Sequence, residues 1–110
     1  MINELETDPK TALKNVPAAV VAFCASWCTD CKESEDYEKK LAEEFKDKLR
    51  FYRFDAVNHE DVADRYHIEH YPTYIFFRKG REVRGILVCP YSESELRNWL
   101  ESKLGRSAYR

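Results

Sequence analysis

The stretch AAVVAFCA at residues 18–25 is apolar at every position, so it offers no polar side to water. A half-exposed strand alternates and a surface helix keeps one polar stripe, and neither pattern fits here. Its brevity and its adjacent valines read as a strand buried on both faces, at the centre of a sheet. The rest of the chain must therefore supply the layers that cover it.

Those layers are legible in order. KESEDYEKKLAEEFKDKL at 32–49 repeats Tyr37, Leu41 and Phe45 every four residues, with Ala42 and Leu49 on adjoining turns, which is an amphipathic helix. RFYRFDA at 50–56 reads as a strand and EDVADRYHI at 60–68, with Val62, Ala63 and Tyr66 at helical spacing, as a short helix. TYIFFRK and EVRGILV form a hairpin across Gly80, which supplies the positive φ of a tight turn. SESELRNWLESKLG opens with Ser92 three residues before Glu95, a capping box, and carries Leu96, Trp99, Leu100 and Leu104 on one stripe up to Gly105. At the start, MINEL reads as an edge strand and DPKTALKN as a helix with Pro9 in its first turn. The order β-α-β-α-β-α-β-β-α predicts a mixed sheet with helices on both faces, because strands joined through a helix pair in parallel with a right-handed crossover. With 110 residues, three glycines, four prolines and no linker-like stretch, a single domain over 1–110 is expected, its core about 1–104 and a short tail at 105–110.

Charge and hydropathy exclude some classes. A net charge of −2 with interleaved lysines and glutamates gives no basic field for a phosphate backbone, so nucleic acid is not an expected partner. The longest apolar run, 16–25, is about half a bilayer span and lies far from a basic start, so neither a membrane segment nor a secretion signal is expected. Four cysteines beside an ample complement of core aromatics favour a reducing compartment, with a cytoplasmic monomer as the expectation.

The chemistry concentrates in SWCTDCK at 26–32. A bare CxxC admits three readings: a redox pair, half of a metal clamp, or two small packed hydrophobes. Cys24 and Cys89 are single and distant in sequence, and His59, His67 and His70 form no ligand pair. A metal is therefore not expected, a cluster shared by two chains being the form hardest to set aside. A helix beginning near Cys28 puts that thiol at a helix amino terminus, where orphan N–H groups and the macrodipole favour an anion, so Cys28 should be the more acidic. Cys31, one turn on, faces the same side and can attack a mixed disulfide formed at Cys28.

FCASWCTDCK at the end of the central strand, with HYPTYIFFRKG opening the hairpin, resembles the thioredoxin family over nearly the whole chain. The resemblance implies an α/β thioredoxin fold and a thiol-disulfide oxidoreductase that reduces protein disulfides. Cys28 would be nucleophile and Cys31 resolving thiol, the two forming the redox disulfide. It implies no bound cofactor; the partners are disulfide-containing proteins and a thioredoxin-reductase-type electron donor. Pro72 matches the family's cis-proline, and Trp27, Thr29, Tyr71, Pro72, Thr73 and Cys89 would border the substrate groove. Two other readings stand beside this one: a thioredoxin-fold docking module, and a more oxidising oxidase or isomerase.

The departures from the family are informative. Ala22 stands where thioredoxins carry a buried Asp beneath the second cysteine, Cys24 replaces a tryptophan, and Thr29-Asp30 replaces Gly-Pro. Asp30 is either a first-turn residue matched to the helix dipole or a supporting charge that acts on the two sulfurs. WCTDC is also similar to the WCPDC site of certain thioredoxin-related proteins, without their proline. Cys89 is either a packed strand-end thiol or an additional thiol that contacts substrate or regulates the site; a Cys24–Cys89 bridge is a further option.

Overall fold

The computed structural model of the chain describes residues 2–105; most of the expected tail, 106–110, lies outside the described residues. Along the chain come β1 (Ile2–Leu5), α1 (Pro9–Ala12), β2 (Ala19–Cys24), α2 (Thr29–Glu44), β3 (Arg50–Asp55), α3 (Glu60–Arg65), β4 (Thr73–Arg78), β5 (Arg81–Val88) and α4 (Glu93–Lys103). They build one five-stranded sheet in the order β1-β3-β2-β4-β5. β1, β3 and β2 run parallel, and β4 and β5 are antiparallel additions. The apolar run is the central strand, and all six residues of β2 are buried.

Strand parity divides the core in two. Val20, Ala22 and Cys24 of β2 join Phe51, Tyr74 and Phe76 beneath α2 and α4, packing on Leu41, Ala42, Phe45, Leu96 and Leu100. Ala19, Val21 and Phe23 join Phe54, Ile75 and Phe77 on the opposite face, covered by Leu13 near α1 and by Val62 and Ala63 of α3. Each fully buried large side chain contributes about 1.5–3 kcal/mol, so both faces drive folding. The cysteine at the end of β2 consequently points toward α2 rather than away from it.

Local signals hold where expected. Lys79 and Gly80 both have positive φ, 52° and 82°, the geometry of a two-residue hairpin turn. A Cβ on Gly80 would lie 2.5 Å from the Lys10 carbonyl oxygen, so this position also needs glycine for space. The Ser92 hydroxyl accepts from the Glu95 N–H, and the Glu95 carboxylate accepts from the Tyr91 N–H, one residue earlier than in the standard capping box. Three helices end earlier than expected, α1 at Ala12, α3 at Arg65 and α2 at Glu44; after α2, residues 45–48 form a turn in which the Leu49 N–H donates to the Phe45 carbonyl at 3.0 Å. Leu49 thus enters the core from that turn rather than from a continued helix.

Candidate active site

Cys28 is the N-cap of α2, in an extended conformation with φ −84° and ψ 120°. The chain leaves buried β2, crosses three residues and starts the helix, which sets the half-buried first thiol at the lip and the second one turn inside, 1% exposed. All four cysteines are free thiols. The Tyr71–Pro72 peptide is cis and faces the dithiol from the start of β4. Cys28 Sγ lies 3.7 Å from the Tyr71 carbonyl oxygen, to which it donates. Trp27, 66% exposed, stands edge-to-face with the Tyr71 ring at 5.8 Å between centroids.

Cys89 also arrives here. Its thiol donates to the same Tyr71 oxygen at 3.3 Å, while its N–H donates to the Pro72 carbonyl at 2.9 Å. A cleft of about 280 Å³ opens beside it, bordered by Asp30, Tyr37, Pro72, Pro90 and Tyr91. Trp27, Cys28, Tyr71, Pro72 and Cys89 therefore gather on one surface, with exposed Thr29 and Asp30 in the first turn of α2. Thr73 does not share that surface with its side chain. It is 1% exposed and its hydroxyl donates to the His70 carbonyl at 2.6 Å, because it is already the first residue of the buried strand β4. Burial raises the Cys89 thiol and the Asp30 charge adds to that rise, whereas the Asp30 backbone N–H works against the burial that raises Cys28.

The acidities correct one expectation. Cys31, rather than Cys28, is the thiol held low, at about 6, chiefly by hydrogen bonding from Cys24 and also by the Ala25 backbone, Cys28 and the Arg53 charge. Partial burial pushes the Cys28 thiol up, although the backbone N–H groups of Cys31 and Asp30 work against that push. Cys24 is raised far above an ordinary thiol, first by its hydrogen bond to Cys31 and then by burial, so it stays protonated and acts as donor. Replacing the donor, Cys24→Ala, is expected to raise the Cys31 value from about 6 toward the ordinary thiol range, read by thiolate absorbance or alkylation rate against pH.

Behind the dithiol sits a polar network that pattern reading misses. Arg53 of β3 pairs laterally with Ala22, and Tyr74 of β4 pairs with Ala22 on the other side. Glu38 of α2, 0% exposed, bonds to both of these neighbours of Ala22. Arg53 Nε donates to Glu38 Oε1 at 2.8 Å, the Ser34 hydroxyl to Oε2 at 2.8 Å, and the Tyr74 hydroxyl also to Oε2. Arg53 then reaches the Cys31 carbonyl at 2.8 Å. The buried acid expected on β2 is absent at Ala22, yet the core still holds a carboxylate, supplied by the helix. The signal for it was present: Ser34 and Glu38 fall on the same stripe as Cys31, Leu41, Ala42 and Phe45.

Cys24 and Cys31 also border a second cleft, about 450 Å³, with Lys32, Glu35, Arg53 and Asp55 around it. Cys24 and Cys89 thus line different clefts. Among the described residues no three His, Cys, Asp or Glu side chains converge as a metal-binding group, and no helix is long and apolar enough to cross a membrane.

A mixed sheet between two helical layers, with a dithiol at a helix amino terminus facing a cis-proline, defines a thioredoxin-fold protein. The family model described as Thioredoxin matches residues 5–102, and the chain belongs to the thioredoxin family. It is 34% identical to thioredoxin-1 of Drosophila melanogaster over 64 residues, 58% of this chain and 60% of that one. It is 29% identical to a thioredoxin of Acidithiobacillus ferridurans over 93% of this chain and 91% of the relative. A protein disulfide-isomerase of Schizosaccharomyces pombe matches at 37% identity over 69% of this chain but only 21% of its own length. Several of these matches thus span less than two thirds of the relative. Among solved structures, reduced thioredoxin of Schistosoma mansoni superposes with a TM-score of 0.79 at 28% identity, covering 92% of this chain and 96% of that one. Human ERp44 does so at 0.79 and 26% identity, covering 93% of this chain and 32% of that one.

Proposed function

We propose that this thiol oxidoreductase reduces protein disulfides by dithiol exchange, with Cys28 as nucleophile and Cys31 as resolving thiol. The observation that carries this reading is the accessible Cys28 thiol at the head of α2, 3.7 Å from the carbonyl that precedes the cis-proline, with Cys31 buried one turn behind it. Cys28, the sulfur that substrate can reach, reacts as its thiolate after losing its proton to solvent. That thiolate attacks one sulfur of a substrate disulfide, expelling the other as a thiolate and forming a mixed disulfide at Cys28. Cys31 gives up its own proton to the leaving group or to solvent and attacks Cys28 Sγ. The second substrate thiolate departs, and the Cys28–Cys31 disulfide holds the oxidising equivalents. A reductase-type donor supplies two electrons to restore the dithiol.

Trp27, Thr29, Tyr71, Pro72 and Cys89 form the surface on which an extended substrate segment lies, and Asp30 sets its charge. No cofactor is required, and the protein acts as a monomer in a reducing compartment such as the cytoplasm. A more oxidising role has one observation in its favour: a Cys31 thiol held at about 6 stabilises the dithiol over the disulfide. The reduction potential decides between them. A reductase is expected near about −270 mV, with turnover of insulin disulfides by dithiothreitol, whereas a value of about −120 to −180 mV would assign the protein to oxidation or isomerisation. A chain that binds partners without turnover would be a docking module instead.

A further inference from the structure

We infer that Cys89 is a second resolving thiol for Cys28, able to release substrate from the mixed disulfide by forming a Cys28–Cys89 disulfide. The inference rests on the proposed nucleophilic role of Cys28. Both sulfurs donate to one atom, the Tyr71 carbonyl oxygen, at 3.7 Å and 3.3 Å, so they can be no further apart than those two distances laid end to end. Both thiols border the lip where the cis Tyr71–Pro72 peptide meets α2. Cys31 is 1% exposed, whereas Cys89 is only half-buried and opens on the cleft of about 280 Å³ beside Pro72. A mixed disulfide held at Cys28 thus has one thiol inside it and another in the groove. The electrostatic influence of Cys28 and Cys31 on Cys89 agrees with that proximity.

The chain also holds Cys89 at φ +46°, the left-handed region that favours glycine. That backbone aims the side chain at Tyr71 O. The exchange balances without any further reagent. Cys89 loses its proton to solvent and attacks Cys28 Sγ; the substrate sulfur leaves as a thiolate and takes up a proton. The product Cys28–Cys89 disulfide holds the two oxidising equivalents that the substrate brought. Attack by Cys31 on Cys28 Sγ then frees Cys89 and gives the Cys28–Cys31 disulfide, so both routes end in the same oxidised protein.

The test isolates the second route. Cys31→Ser, Cys31→Ser/Cys89→Ser and Cys28→Ser are each treated, when dilute, with one equivalent of dithiobisnitrobenzoate, and thionitrobenzoate release is followed. Cys31→Ser is expected to release two equivalents, with non-reducing tryptic maps joining residues 15–32 to residues 85–97. The double variant is expected to stop at one equivalent and keep the aryl adduct at least about tenfold longer. An adduct on Cys31→Ser as long-lived as on the double variant, or a link confined to residues 15–32 through Cys24, overturns the inference. Failure of the underlying reading looks different: Cys28→Ser would then form its first adduct as fast as the unaltered protein.

Discussion

Arg53→Met is expected to destabilise the reduced protein by about 3–5 kcal/mol, the usual loss when one member of a buried ion pair is removed. For a domain of this size that is a fall in Tm of at least about 10 °C. Glu38 is fully buried, and among the described residues Arg53 is the one cationic partner of its carboxylate at hydrogen-bond distance. Without the guanidinium it keeps the Ser34 and Tyr74 hydroxyls, but it is left as an uncompensated charge between β2 and α2. The same change frees the Cys31 carbonyl from its Arg53 donor and removes one of the influences that lower the Cys31 thiol. Cys31 should therefore titrate higher in the variant as well. Arg53→Met/Glu38→Leu is expected to recover part of the stability, since the orphaned charge goes with its partner. Adding Tyr74→Phe should recover more, because it removes a buried hydroxyl that would otherwise lack its acceptor. Urea melts at neutral pH measure all three. A loss below about 1 kcal/mol for Arg53→Met would mean the pair behaves as a surface bridge.

This network shows where sequence reading reached and where it stopped. A run such as AAVVAFCA has one physical solution, burial on both faces, and the layers needed to cover it followed from 3.6-residue and two-residue periods. The charged core was harder. Glu38 and Arg53 lie among 26 other charged residues in helices and strands that look solvated, and only placement on the helix stripe and strand parity separates them from the rest. Strand parity also sends Cys24 to the α2 side, beside Cys31, where its hydrogen bonding lowers the Cys31 thiol. The helix-dipole argument alone favoured Cys28, because it weighs the amino terminus and knows nothing of a neighbouring thiol donor. Thr73 was carried into the groove by its place next to Pro72, yet the strand begins at that residue and turns its hydroxyl to His70. The convergence of Cys28 and Cys89 on Tyr71 O is a long-range contact, across 61 residues of sequence, that no local pattern encodes.

Cys28→Ser is expected to lower disulfide-exchange turnover by at least about a thousandfold, since a serine hydroxyl does not ionise in the range where a thiol does. Cys31→Ser should behave otherwise. It loses overall turnover under limiting reductant while retaining formation of the first mixed disulfide, so substrates accumulate covalently on Cys28. The pH dependence carries a further sign. Two of the influences that raise Cys28 come from the Cys31 side chain, its hydrogen bond and its charge, while the backbone N–H groups at 30 and 31 lower it. Replacing the Cys31 sulfur by a hydroxyl removes the thiolate charge and keeps the N–H groups. The Cys28 thiol of Cys31→Ser should then titrate lower than in the unaltered protein, and the pH profile of adduct formation should move toward acid. A dipole-only account of the site predicts no such movement, because the α2 terminus is the same in both proteins. Alkylation rates with iodoacetamide across pH, measured on the reduced forms, distinguish the two. A profile that stays in place would return the control of Cys28 to the helix alone, and one that moves toward base would mean that Cys31 had been assisting ionisation of Cys28 rather than competing with it.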